Sequence, residues 1–316
     1  MANLPKNTAL VYDRVNKWGG AERVLLALHE IFPQAPLFTA VYNPETAGWA
    51  EVFPKVIPSI LQKFPFAKSH HELYPWLTPL AFESFNFNKY DAVISVTSAD
   101  AKGIITQSKT FHLCYCLTPT RYLWSHENFY KSKVSNIFHS LFNYLKSWDL
   151  VASHRPDSYI AISKTVQNRI SSFYNLSSTV IYPPVDVNKF PPIPGGEYFL
   201  SVGRLVSYKQ PETLVDLFNE LDLPLVIIGS GSEEKKLKAK AKSHIKILGH
   251  VSETELIHHY QKAKALISLH EEDFGLVYAE AQAAGKPVLA LNTGGVREIV
   301  EHNKTGYLAN NREALK

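Results

Sequence analysis

Short apolar runs alternate with amphipathic stretches along most of the chain, most regularly in its second half. Runs at 198–202, 224–228, 244–248, 265–269 and 287–291 read as buried strands. Stretches with helical spacing at 211–220, 233–242, 253–263 and 276–284 separate them. Alternation at this spacing predicts a parallel sheet with helices on both faces. The first half has the same α/β character. Runs at 9–12, 36–41, 90–96, 111–117, 158–162 and 180–182 predict strands. Helices are expected over 21–32 and 164–174, the second capped by Ser163. Residues 98–103 predict a turn with a helix fragment, and 59–87, rich in aromatics and prolines, predict short helices and loops. A long amphipathic helix is expected over 128–148, with Val134, Ile137, Phe138, Leu141, Phe142, Leu145 and Trp148 as its apolar stripe. Prolines at 183, 184, 191, 192 and 194, followed by Gly195 and Gly196, mark a stiff connector. The expected domains are therefore 1–190 and 191–316.

Composition narrows the class. A chain of 316 residues suits two domains, and 45% hydrophobic with 20% charged residues is ordinary for a globular protein. The net charge of +4, without a long basic run, points away from nucleic acid and toward anionic small molecules or an anionic membrane surface. No run approaches the ~18 apolar residues of a membrane span, and residues 1–8 lack the apolar centre of a secretory signal. A cytoplasmic chain is expected, peripheral on the inner face of the membrane if it meets one. Lys131, Lys133 and Lys146 give the 128–148 helix some positive charge, but its Ser- and Asn-rich polar face favours packing on its own core. Cys114 and Cys116 alternate within one strand and read as buried thiols; two ligands do not make a metal site.

Candidate chemistry collects at strand ends of the second half. The run 265–269 leads into a loop, 270–273, and a helix that starts near Phe274 and Gly275 and stops at Gly285. On its wheel Leu276, Val277, Ala283 and Ala284 share an apolar face, Tyr278 and Gln282 take the other, and Glu280 falls among the apolar residues. A carboxylate there needs a partner. Glu272 precedes the first turn, so one acid sits at a helix mouth whose free N–H groups suit phosphate. Gly203, Arg204 and Lys209 leave the run 198–202, and Gly229 and Gly231 leave 224–228. Two cations, flexible backbone and two acids on one sheet edge describe a pocket for a diphosphate joined to hydroxyl-rich groups. In the first half, Gly19 and Gly20 between strand and helix, and Arg121 after 111–117, are the corresponding candidates.

These residues resemble the retaining nucleotide-sugar glycosyltransferases of family 4, which have the GT-B fold. The motifs are Glu272 and Glu280 around Phe274-Gly275, Gly203-Arg204-Leu205 with Lys209, and Gly19-Gly20-Ala21-Glu22. Residues 81–85, 90–95, 101–103, 115–124 and 181–186 are similar to the bacterial GDP-mannose-dependent mannosyltransferases of polysaccharide biosynthesis. The resemblance implies two Rossmann-like domains facing a cleft, the first on the acceptor side and the second binding the donor. It implies that Arg204 and Lys209 hold the diphosphate and stabilise the departing nucleotide. Glu280 would bind the ribose, while Glu272 with the backbone of Phe274, Gly275, Leu276 and Val277 would hold the donor sugar and phosphate. Gly20, with Gly203 and Gly229, would lie against the donor, His250 and Val251 near the base, and Gly19 and Arg121 on the acceptor side. No Asp-x-Asp cluster is present, so no metal or other cofactor is expected; the nucleotide sugar is a substrate.

The sequence departs from the pattern in two places. Leu117 stands where many relatives have a histidine that contacts the donor sugar; His112 and His126 are its nearest histidines. The chain also stops at Lys316, where a helix would begin, so the second domain is expected to be incomplete. Two other outcomes stay open: a non-catalytic nucleotide-sugar-binding GT-B protein, or another GT-B enzyme such as a sugar phosphorylase or epimerase.

Overall fold

A computed structural model describes residues 5–132, 135 and 139–315. By its internal contacts the chain divides into two units, Met1–Pro184 and Val185–Lys316.

Among the described residues of the first unit, seven parallel strands form one sheet: β1 Thr8–Tyr12, β2 Leu37–Thr39, β3 Val56–Pro58, β4 Ala92–Thr97, β5 Phe111–Cys116, β6 Ser158–Ala161 and β7 Thr179–Val180. Their order is β3-β2-β1-β4-β5-β6-β7. β1 and β4 are buried along their whole length, as near-continuous apolar runs of a parallel sheet must be. Helices α1 Gly20–Ile31, α2 Thr78–Glu83, α3 Glu127–Lys131, α4 His139–Ser153 and α5 Lys164–Tyr174 connect them. Ser163 caps α5, its Oγ accepting from the Val166 N–H at 3.0 Å. β3 was not expected from the sequence; Val56-Ile57-Pro58 is too short to show a pattern, and pairing with β2 defines it.

The helix expected over 128–148 is not continuous. α3 ends at Lys131, Ser132 lies in a turn and Ser135 is not helical before α4 begins at His139. Val134, Ile137, Phe138 and Lys133 lie outside the described residues. Lys131 and Lys146 both bond to Glu127, so their charge is not presented freely to an anionic surface. A buried polar knot lies behind α4. The Asp149 carboxylate accepts from Lys102 Nζ (2.5 Å), Thr120 Oγ1 (2.5 Å), Trp124 Nε1 (2.8 Å) and Tyr174 OH (2.8 Å). It thus ties together the loops after β4 and β5 and helices α4 and α5. Cys114 and Cys116 are buried free thiols, and burial pushes Cys116 up.

The second unit repeats the plan. Its strands are β8 Tyr198–Val202, β9 Leu225–Ile228, β10 Ile245–Gly249, β11 Ala263–Ser268, β12 Val288–Leu291 and β13 Gly306–Ala309, in the order β10-β9-β8-β11-β12-β13. Every pair is parallel. Helices α6 Pro211–Leu221, α7 Glu234–Lys240, α8 Glu253–Lys262 and α9 Leu276–Ala283 lie between them. The sheet has a core on each face. Val226 and Ile228 pack with Tyr260 and Tyr278 of α8 and α9, while Leu225 and Ile227 pack with Leu214, Leu217 and Leu237 of α6 and α7. Ser252 and Glu255 form a capping box on α8, and Pro211 opens α6. β13 extends the sheet beyond the strands legible in the sequence.

In each unit the order reverses between two neighbours, β1 and β4 in the first and β8 and β11 in the second. Open parallel sheets bind ligands outside the carboxyl ends of such a pair. No helix among the described residues is long and apolar enough to cross a membrane. All five tryptophans (Trp18, Trp49, Trp76, Trp124 and Trp148) belong to the first unit.

Candidate functional site

The β8–β11 reversal carries most of the candidate chemistry. After β8 the chain makes a single tight turn, Ser207–Lys209, and enters α6 through Gln210, whose φ of 51° is left-handed. This turn brings Lys209 back over the strand end. After β11 the loop His270 to Gly275 leads into α9. Lys209 Nζ donates to Glu272 Oε1 at 2.6 Å, with side-chain exposures of 12% and 18%, so the pair is largely shielded from water. His270 Nε2 lies 2.8 Å from the same oxygen. Burial alone raises the Glu272 carboxyl; the Lys209 charge and the His270 hydrogen bond outweigh it and hold the group well below the usual carboxylate range.

A relay stands behind His270. Its Nδ1 lies 3.2 Å from Ser268 Oγ, which accepts from the buried Tyr278 hydroxyl at 3.0 Å. Tyr278, Ser268, His270 and Glu272 thus form one continuous hydrogen-bonded chain. Burial pushes the Tyr278 phenol far up, so it stays a donor.

Glycines bring the backbone together here. A Cβ on Gly229 would lie 1.9 Å from the Gly203 carbonyl oxygen, so the loops after β9 and β8 touch only because Gly229 lacks a side chain. Gly275 has φ 95°, and a side chain there would strike the Tyr278 ring at 2.3 Å. Gly275 caps α9 without a side-chain bond; the Tyr278 N–H donates to the Gly275 carbonyl at 2.9 Å, and the Leu276 and Val277 N–H groups have no side-chain cap. The Glu272 backbone is fixed in turn, its carbonyl accepting from Gly295 N–H at 2.8 Å. A small pocket at this edge is lined by Gly203, Arg204, Lys209, Gln210, Leu269 and His270.

The other expected site residues fall in several settings. Arg204 is exposed, and its Nη2 donates to Tyr208 OH at 2.6 Å. Glu280 is buried, and its Oε2 accepts from Tyr260 OH at 2.7 Å. Phe274 is buried, and Leu276 and Val277 are half-buried. The inward face of α9 differs from the expected one. Tyr278, placed opposite the apolar face, is fully buried with Ala281 and Ala284, because its ring lies over Gly275 and its hydroxyl finds Ser268. His250 follows β10 and is exposed, while Val251 packs on the unit's core. In the first unit, Gly20 opens α1, Gly19 precedes it, and Arg121 is half-buried after β5. Leu117 follows β5 directly, its N–H donating to the Thr97 carbonyl. His112 lies at the opposite end of β5, buried against Ser95 Oγ at 2.8 Å, so it does not replace a histidine at Leu117. His126 bonds to Ser125. Among the described residues, no three His, Cys, Asp or Glu side chains converge as metal ligands.

Sequence reasoning missed His270, Ser268 and Tyr260. A histidine two residues before an acid at a strand end was a visible signal; Tyr260 was not, since only the packing of α8 on α9 brings it to Glu280.

Comparison with known proteins bears on this geometry. The model of the family "Glycosyl transferases group 1" matches residues 186–316, nearly the whole second unit. The second unit is thus similar to group 1 glycosyl transferases. An uncharacterized glycosyltransferase of Methanocaldococcus jannaschii is 33% identical over 174 residues, covering 52% of this chain and 49% of that protein. A GDP-mannose-dependent alpha-(1-6)-phosphatidylinositol monomannoside mannosyltransferase of Mycobacterium tuberculosis is 29% identical over 184 residues, 48% of each. The chain thus spans about half the length of these curated relatives. Anabaena HepE, solved in complex with UDP-glucose, has a TM-score of 0.72 at 19% identity, covering 98% of this chain and 87% of that one. With that coverage the chain has the GT-B fold, and about half of it is similar to glycosyltransferases, a GDP-mannose-dependent mannosyltransferase among them.

Proposed function

We propose that the two units form a retaining, metal-independent family 4 hexosyltransferase that moves mannose from GDP-mannose to a glycan or lipid-linked acceptor. The observation that carries this reading is the Lys209–Glu272–His270 cluster beside the uncapped start of α9. Without ligand, Glu272 neutralises Lys209. When a nucleotide sugar enters, its diphosphate takes up the Lys209 and Arg204 charges and the N–H groups of α9, and Glu272 turns to the sugar hydroxyls. Glu280 serves the ribose, and His250 and Val251 border the base. Gly20 serves the donor, and Gly19 and Arg121 serve the acceptor side. As the C1–O bond to the phosphate breaks, negative charge grows on the leaving diphosphate, where these fixed cations and the helix start stabilise it. The acceptor oxygen bonds to C1 on the same face, and its proton passes to the departing phosphate oxygen. The Mycobacterium relative's name supports GDP-mannose, and the UDP-glucose complex of HepE supports a nucleotide-sugar donor in general. With a lipid-linked acceptor, catalysis takes place at a membrane face.

The test is incubation with GDP-mannose, UDP-glucose and ADP-glucose, with and without lipid-linked and free glycan acceptors. GDP-mannose is expected to give the fastest transfer, with the anomeric configuration kept. Transfer from UDP-glucose alone would move the donor assignment. Stabilisation by GDP with no transfer or hydrolysis would leave a binding protein, and free phosphate as the acceptor would leave a phosphorylase.

A further inference from the structure

Residues 59–80 of the first unit, between β3 and β4, are apolar on two sides. Inward, Leu61 and Ala67 are fully buried in the core of that unit, and Tyr74 and Leu77 pack against it. Outward, where a surface segment ordinarily presents polar side chains, Phe64, Phe66, Leu73 and Trp76 are exposed, Phe66 to 78%. Ile60 and Leu80, at the two ends of the stretch, are exposed as well. Single exposed apolar residues are ordinary, but a cluster of them marks an interaction surface.

The cluster is held in place by bonds. Tyr74 is its hub: its ring lies 5.3 Å from Phe64 and 6.0 Å from Trp76 between centroids, and its hydroxyl donates to the Pro65 carbonyl at 2.9 Å. Phe66 follows with φ 59°, in the left-handed region, an outlier for a bulky side chain. Its carbonyl accepts from the Ser69 N–H at 3.1 Å and the His70 N–H at 2.8 Å, which fixes the turn. Glycine would make the same backbone bonds without strain, so the turn itself does not call for an aromatic ring. Strained residues of this kind collect where a segment binds something. Asn16 Nδ2 donates to the Lys68 carbonyl at 3.0 Å, which anchors the far side of the turn to the loop after β1.

Composition and charge select the partner. Lys63 and Lys68 stand exposed among these rings, and among the described residues neither ammonium group meets an acid. Glu72 is the only acid in residues 59–80. Lys131 and Lys146 on the other candidate surface are instead tied to Glu127. The contact surface of a protein partner is rich in aromatic residues but poor in lysine. The boundary of a bilayer takes both: aromatic rings sit at the level of the headgroups, and lysines reach from apolar surroundings to the phosphates.

We propose that this stretch docks the chain on an anionic bilayer: Phe64, Phe66, Leu73 and Trp76 enter the headgroup region, and Lys63 and Lys68 meet lipid phosphates. The surface rests on its own composition and geometry, not on the glycosyltransferase reading.

The test is flotation of the full chain with vesicles of phosphatidylcholine alone and of an equal mixture of phosphatidylcholine and phosphatidylglycerol. Binding to the mixed vesicles is expected, weakening as salt rises. Phe66→Gly should bind about tenfold more weakly yet melt no lower than the parent, because glycine adopts the left-handed turn freely. The double variant Lys63→Gln/Lys68→Gln should lose about tenfold on the mixed vesicles and little on phosphatidylcholine. Val151→Ser, which changes an exposed apolar residue of α4, should bind as the parent does. No binding of the parent to mixed vesicles, undiminished binding of Phe66→Gly, or an equal loss in Val151→Ser would each overturn the surface. A parent that sediments as a dimer and a Phe66→Gly variant that sediments as a monomer would overturn it in favour of a second copy of the chain. The donor test fails separately: a chain that turns over no nucleotide sugar can still float with anionic vesicles, and one that ignores vesicles can still transfer to a free glycan.

Discussion

A carboxylate held by both a lysine and a histidine is placed more firmly than one held by a lysine alone, and reacting groups are sensitive to placement errors of about 0.5 Å. His270 is therefore a positioning residue for Glu272. Replacing it with Ala should lower kcat/KM for the donor by about tenfold with little change in melting temperature. His270→Gln should recover most of that loss, because the Gln Nε2 can reach Glu272 as the imidazole Nε2 does. His270→Asn should not, since its amide stops near Ser268. Equal kinetics for all three would show that the imidazole only fills space. At this scale the sequence was legible for charged residues in a motif and silent about their partners. Lys209 and Glu272 could be placed on one edge because each follows an apolar run. That Glu272 is shared between Lys209 and His270, and Glu280 bound by Tyr260, depends on side-chain directions that only packing fixes.

Elements were legible where a full period was visible. β4, β5, β8 and β9 are continuous apolar runs, and each was expected within a residue or two of its observed bounds. β3 and β13 were not seen: the first has three residues and ends in proline, and the second mixes exposed Tyr307 with buried Ala309. The stretch 128–148 was read as one helix because its apolar spacing continues across Ser132 and Ser135, where the described backbone is not helical. The loops after β4 and β5 owe their positions to the Asp149 knot, in which Lys102 is 2% and Asp149 0% exposed. Lys102→Met leaves a buried carboxylate without its cation, and a loss of about 3–5 kcal/mol is expected by chemical denaturation. The double variant Lys102→Met/Asp149→Leu should regain part of it, since no isolated charge remains. A single-variant loss below about 1 kcal/mol would mean that water takes the lysine's place.

At the scale of the molecule, strand-helix alternation revealed two sheets, because it depends on chain-long periodicity and not on any one contact. The two sheets share an order, with the reversal at β1–β4 and again at β8–β11. Equivalent edges have nonetheless taken different chemistry. The second gathers Lys209, Glu272 and His270 beside the start of α9; the first ties its strand ends together through the Asp13 carboxylate. Only the second was written in a motif dense enough to find by sequence. The placement of the tryptophans has an optical consequence. Because all five are in the first unit, emission excited at the red edge of the absorption band reports that unit alone, while far-ultraviolet dichroism reports both. A nucleoside diphosphate bound to the second unit should therefore raise the dichroism midpoint by several degrees and leave the emission midpoint where it was. Coincident shifts in both signals would mean instead that the two units melt as one. The protein thus carries its own one-sided reporter, and a glycoside that dims or shifts the emission identifies, without any label, the unit it has entered.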